Sequence, residues 1–307
     1  MKFTKPAVDL NRQLQKWQSR GLVVANPAEA LHYLQFIGYY RFSAYTLPFQ
    51  TLALPGKPFT PGTTFEQVLS VYAFDRELRL LVLDAIERVE VAVRSSMVNH
   101  MCVKHGAHWF MDAGHFRVPG TNSPRRFDHV RFLDTLDEEL GIPSSAKAPA
   151  RPHNEVFINH YFAKYTDPYL PPAWMVFEVV SMGTLSLVLA NLRNNTDRTA
   201  IAKPFGVDEQ VLGSWLHTLS YVRNLCAHHS RLWNRQLVIK PIIAKKHATQ
   251  VLVKDRIYAI AFILNYLLGI VAPRNAWHER LYRLIQSHPV VNTAAMGFPK
   301  DWASQPF

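Results

Sequence analysis

Between Tyr221 and Arg235 the chain reads Tyr-Val-Arg-Asn-Leu-Cys-Ala-His-His-Ser-Arg-Leu-Trp-Asn-Arg, which places a guanidinium, a carboxamide and two imidazoles close together. Cutting RNA without a metal requires a base to take the 2′-hydroxyl proton, an acid to protonate the leaving 5′-oxygen, and a cation to stabilise the charged phosphorane. Histidine titrates near neutrality and suits both proton roles. Arginine is always charged and grips phosphate oxygens in a two-pronged fork. Arg223 and His228 have these types, and Asn224 stands four residues before His228, a helical spacing that lets it orient the imidazole. Tyr221 and His229 are neighbouring candidates for support.

The spacing also sets a problem. Leu212, Trp215, Leu219, Val222 and Cys226 form an apolar stripe at helical period, with His217, Tyr221, Asn224 and His228 on another face. At ~100° per residue, Arg223 lies roughly 140° from His228 on a regular helix. The two converge if the arginine side chain wraps round, if the helix distorts near Ala227, or if a second subunit supplies the partner group. A site at a subunit seam is the favoured reading. Taken alone the pattern is weak: Arg94 and His100 form a similar pair with one more residue between them. A core-edge ion pair for Arg223 and a residue suited to the helix C-terminus for His228 stay open as plain structural roles.

Other chemistries find less support. His217, His228 and His229 lack an Asp or Glu at ligand spacing, and Cys226 falls on the other face, so no metal is expected. No phosphate-binding glycine loop, nucleophile elbow or dinucleotide fingerprint occurs, and no cofactor is expected. Trp233 and Tyr221 are candidates for stacking on bases. The two cysteines, Cys102 and Cys226, exclude a disulfide framework and a four-cysteine zinc site and fit a reducing compartment.

Charge points to a polyanion. Residues 193–307 hold 15 Lys/Arg against 6 Asp/Glu, a net of +9, while residues 1–192 hold 19 against 17, a net of +2. Arg231 and Arg235 flank the motif. Lys245, Lys246, Lys254 and Arg256 lie beyond it, where they can hold an RNA without cutting it.

The elements that must position these groups read as helical nearly throughout. Helices are expected over Lys5–Arg20, from Asn26 with Pro27 at its first position to about Ile37, and from Thr64 to about Met101 with Val82, Ile86, Val89, Val93 and Met97 inward. Further helices are expected over Phe127–Leu140, Val156–Tyr165, Ala173–Leu192, from Asp208 to Cys226 or slightly beyond, Val253–Val271 and Asn275–Gln286. Leu237–Ile243 reads as a short strand, and Pro48–Gly62, Pro119–Pro124 and Pro143–Pro152 as turns or loops. The apolar run Ile257–Pro273 is short for a bilayer span of ~20 residues and carries Asn265, so it reads as a buried helix. No secretory signal is recognised, and a cytoplasmic protein without membrane contact is expected. The fold class is all-α, a single helical domain over 1–307 built as a bundle with additional helices.

The run Arg223–Arg235 resembles the signature of abortive-infection proteins of the AbiD/AbiF type, whose helical domain belongs to the HEPN ribonuclease superfamily. Supporting stretches are Ile37–Phe42 with Ser43–Tyr45, Asp75–Arg79 and Ile86–Arg94. Pro172, Trp174, Glu178, Ser181 and Gly183–Ser186 also fit, so the likeness covers roughly residues 5–240. It implies a HEPN-like core at about 65–271 with a loop-rich insertion at about 105–152, and Arg223, Asn224 and His228 as the catalytic motif. Glu90 and Arg94, one helical turn apart, then either support the site or form a surface ion pair. The resemblance further implies a toxin in phage defence, a homodimer with a composite cleft, RNA as substrate, and a structured noncoding RNA as neutralising partner. The alternative is a HEPN-like module that binds RNA or a partner without cutting.

Overall fold

The structure, a computed structural model, describes residues 2, 6–118, 127–142 and 152–303. Lys5, the turn expected at Pro119–Pro124 and all but the last residue of the loop expected at Pro143–Pro152 lie outside them. Among the described residues there are twelve α-helices, short 3-10 turns and three isolated bridges, with no strand; the fold is all-α. The chain divides into two compact units, residues 1–79 with 279–293 and residues 80–278 with 294–307.

In the first unit, α1 (Leu10–Gln18) starts later than Lys5 because the Asp9 carboxylate caps it, accepting from the Arg12 N–H at 2.8 Å. α2 (Pro27–Ile37) is capped as its sequence indicates, with Asn26 accepting from the Glu29 N–H. Gly38 then takes φ +85, which ends α2 and starts α3 (Tyr39–Thr46), a helix missed in the sequence. Trp17 stacks on Tyr39 and Phe42 on Phe65 to close the core. α4 (Phe65–His105) opens with a reciprocal Thr64–Gln67 capping box and runs 41 residues, one turn past Met101. Its first part serves this unit.

The rest of α4 serves the second unit and buries Val82, Ile86, Val89, Val93 and Met97. α5 (His129–Glu139) and α6 (Val156–Lys164) follow. The single helix expected over Ala173–Leu192 is two, α7 (Ala173–Val179) and α8 (Met182–Asn191). Val180 and Ser181 are extended between them, and the Ser181 hydroxyl accepts from the Thr184 N–H at 3.1 Å to start α8 afresh. α9 (Asn195–Ala202), capped by Asn194, was not read from the sequence. α10 (Glu209–Ala227) packs along α8 and α9 and buries the whole stripe from Leu212 to Cys226.

Leu237–Ile243 is not a strand: the Ile242 N–H donates to the Ser214 hydroxyl and its carbonyl accepts from Trp215 Nε1, so side chains of α10 satisfy it. α11 (Ile257–Val271) is buried almost all round, as a core helix is. No helix among the described residues is long and apolar enough to cross a membrane. α12 (Trp277–Gln286) begins with Trp277, whose indole donates to the Leu81 carbonyl at 2.8 Å.

Candidate active site

α10 is buried on most of its circumference until its last turn, where Arg223, Asn224, Ala227 and His228 are exposed. The helix ends where the sequence problem lies. His228 is the C-cap at φ −85, ψ 13, with its N–H on the Asn224 carbonyl. His229 follows in the left-handed region at φ 55. The His229 N–H donates to Cys226 O at 3.0 Å and the Ser230 N–H to Leu225 O at 2.8 Å, a complete Schellman closure. Glycine is the usual residue there, and a side chain in that conformation costs roughly 1 kcal/mol. The distortion therefore sits at His229, two residues beyond Ala227, while His228 keeps its helical N–H bond to Asn224, so the offset between Arg223 and His228 on α10 stands.

Arg223 has two neighbours of note. One Nη donates to Asn224 Oδ1 at 3.4 Å, a long contact. Its charge also acts on Glu90 of α4. Burial pushes the Glu90 carboxyl up from its usual range, while Arg94 and then Arg223 pull it back. Glu90 accepts from Arg94 at 2.7 Å, with side-chain exposures of 18% and 11%, so this is a half-buried pair rather than a surface one. Arg94 further donates to the carbonyls of Glu178 and Val180, both at 3.2 Å, and lies 3.8 Å from the Glu178 carboxylate. It thus fastens the α7–α8 junction to α4, and the Arg94 Nε is buried without a hydrogen-bond partner. Glu90 is the link from this bracket to Arg223.

Tyr221 is half-exposed on α10, whereas Trp233 is buried and offers no face to a base. Arg231 and Arg235 are half-buried, and an Arg235 Nη donates to the Arg231 carbonyl at 3.4 Å. Lys245 and Lys246 are exposed and share a groove of about 840 Å³ with Lys203. Lys246 also lies over the Tyr266 ring at 5.5 Å. Lys254 is exposed and does not line that groove, nor does Arg256, which reaches Asn234 Oδ1 at 3.5 Å.

Sequence reasoning missed one cluster. Asp197, buried in α9, accepts from Lys104 at 2.6 Å and contacts His100 at 2.8 Å and His105 at 3.0 Å. Burial alone raises its carboxyl, but Lys104, His100 and His105 outweigh it and bring it down to about 2. His100 is thereby committed to Asp197, which gives the Arg94–His100 spacing a structural role. Among the described residues no three His, Cys, Asp or Glu side chains are grouped to hold a metal, and both cysteines are free thiols.

The described residues are all-α, with an arginine–asparagine–histidine run exposed at the end of α10. The family model for Abi-like protein matches residues 32–234, and the chain belongs to this abortive-infection family. No curated protein and no solved structure matches the chain.

Proposed function

We propose that the protein is a HEPN-type endoribonuclease that cuts RNA without a metal, acts as a toxin in phage defence, works as a homodimer, and is held in check by a structured RNA. The observation that supports this reading is the exposure of Arg223, Asn224 and His228 at the C-terminal end of α10, a helix whose apolar stripe is buried. His228 takes the 2′-hydroxyl proton as the 2′-oxygen bonds to phosphorus. Arg223 donates to the non-bridging oxygens. The bond from phosphorus to the 5′-oxygen breaks, and the leaving oxygen takes a proton from the histidine of the second copy. The offset between Arg223 and His228 motivates that second copy. The charge of Glu90 acts on Arg223, while its hydrogen bond goes to Arg94.

The net of +9 over residues 193–307 and the Lys203–Lys245–Lys246 groove support an RNA partner whose binding weakens steeply with salt. RNA incubated with the protein in EDTA is expected to carry 2′,3′-cyclic phosphate and 5′-hydroxyl ends. Strict dependence on a divalent ion with 3′-hydroxyl products would overturn the mechanism.

A further inference from the structure

The N-terminal half of α10 borders a cavity of about 630 Å³ that the proposed reaction does not use. Arg117, Arg198 and His217 line one part of it, and Leu189 and Ile242 contribute apolar wall. Glu209 is the one carboxylate in that lining, so the two guanidiniums leave it net positive even with His217 neutral.

The arginines are placed by backbone, which makes this a built feature. The Arg117 N–H donates to the Asn191 carbonyl at 2.9 Å, and the Arg193 N–H donates to the His115 carbonyl at 2.8 Å. These bonds tie the segment after α4 to the start of α9. Arg198 of α9 donates to the carbonyls of Leu192 and Arg193 and to Asn195 Oδ1 at 2.9 Å. Its charged form is disfavoured by burial and by the neighbouring Arg117, and favoured by Glu209 and Asp197. A bound anion would add to the compensation these carboxylates give the two guanidiniums.

Shape and chemistry select the anion. The volume lies within the ~300–1,000 Å³ range of small-ligand sites. A cationic part next to an apolar wall suits a phosphate carrying a flat ring system. We propose that this cavity binds a phosphate ester together with its attached nucleoside, gripped by Arg117 and Arg198 with His217 at its edge. Position connects it to the candidate active site. His217, Tyr221, Asn224 and His228 share one face of α10, and seven residues of rise from His217 to Asn224 span ~10 Å. A nucleotide of the bound RNA a short way along the strand from the scissile bond reaches the cavity, and so does a free nucleotide.

Gly213 provides a clean test. It lines the cavity from within α10, and a Cβ built on it meets nothing within 4 Å, so a larger side chain fills the space without displacing the core. The probes are 5′-AMP, inorganic phosphate and a single-stranded tetraribonucleotide, titrated calorimetrically into the full-length His228→Ala protein. That background makes binding readable whether or not the protein cleaves RNA. Gly213→Leu and Arg117→Gln are expected to weaken binding by about tenfold or more, with the melting temperature of Gly213→Leu unchanged. Binding of AMP identifies a free-nucleotide site, and binding of the tetranucleotide alone identifies an RNA subsite; either supports the cavity when the variants abolish it. Absence of binding by all three probes, or affinities unchanged in Gly213→Leu, would overturn the proposal. Cleavage lost in His228→Ala together with probe affinities unchanged in Gly213→Leu would leave the proposed function standing while the cavity assignment fell.

Discussion

α4 carries a carboxylate followed four residues later by arginine three times, at Asp75–Arg79, Asp84–Arg88 and Glu90–Arg94, and the first and last of these pairs stand in different surroundings. Asp75–Arg79 in the first unit has side-chain exposures of 0% and 7%, and the Tyr45 hydroxyl closes it from α3 by donating to Asp75 at 2.6 Å. Burial, and then Asp75 itself, push the Tyr45 phenol well above its ordinary range, so it stays a donor. Glu90–Arg94 in the second unit is partly open, leaves the Arg94 Nε without a hydrogen bond, and faces a third charge in Arg223. The first arrangement is a closed network that holds a fold together. The second is an incomplete one beside exposed polar groups, as sites that act on a ligand tend to be. The sequence motif is the same, and what surrounds it separates the roles.

The largest expected effect breaks the closed network. Asp75→Ala leaves Arg79 and the Tyr45 hydroxyl buried with one partner removed, a loss of about 3–5 kcal/mol, read as a collapse of the melting temperature or of expression. Glu90→Gln keeps an acceptor for Arg94, which retains the Glu178 and Val180 carbonyls, and is expected to cost about 1 kcal/mol or less. Equal losses at the two sites would erase the distinction.

Next comes the open site. Arg223→Ala and His228→Ala are each expected to lower RNA cleavage by about 10²–10⁴-fold and to end growth arrest. Both side chains are exposed, so denaturant midpoints should move by about 0.5 kcal/mol or less. Asn224→Ala, which removes only an orienting group, should be milder. Variants as active as the parent would show that α10 ends in a structural feature and nothing more.

A buried hub in the second unit sharpens the comparison through pH. The Asp197 carboxyl sits at about 2 in the folded protein against 3.8 ordinarily. Between those values the unfolded chain binds more protons than the folded one, so stability rises with pH. The contribution is complete above about pH 4 and is lost as pH falls towards 2, an effect of about 2 kcal/mol. Asp197→Asn should flatten that slope in urea titrations from pH 2 to 5. A slope that survived the substitution would place the acid sensitivity elsewhere.

What could be read from the sequence follows from period. Long apolar stripes at three- and four-residue spacing identified α4, α10 and α11 because burial on one face needs no knowledge of partners. The break at Ser181 was hidden, since Ala173–Leu192 keeps an apolar pattern across it and only the carbonyls taken by Arg94 mark the interruption. α3 and α9 are short and weakly patterned. Leu237–Ile243 looked like a strand because it is mostly apolar, yet the Leu237 N–H goes to the Asp255 carbonyl and Ile242 bonds to Ser214 and Trp215. The candidate motif was legible as residue types. The charge of Glu90 beside Arg223 depends on a neighbour far away in the chain, and so do the Asp197 hub and the Arg117–Arg198 cavity, which no local spacing announces.

The smallest expected effect decides between two adjacent histidines. His229 occupies the left-handed position of the α10 closure at φ 55, while His228 is the cap in an ordinary conformation. Glycine adopts the left-handed position without the clash a side chain meets there. His229→Gly should therefore preserve the bonds from the 229 and 230 N–H groups to Cys226 and Leu225, and stabilise the protein by about 0.5–1 kcal/mol. If His228 is the base, cleavage in this variant stays near the parental rate while His228→Ala is inactive. If His229 is the base, the variant is more stable and inactive, and the assignment moves by one residue. A loss of cleavage in a variant at least as stable as the parent cannot be put down to unfolding. Both measurements on one protein thus separate a conformational role for His229 from a chemical one.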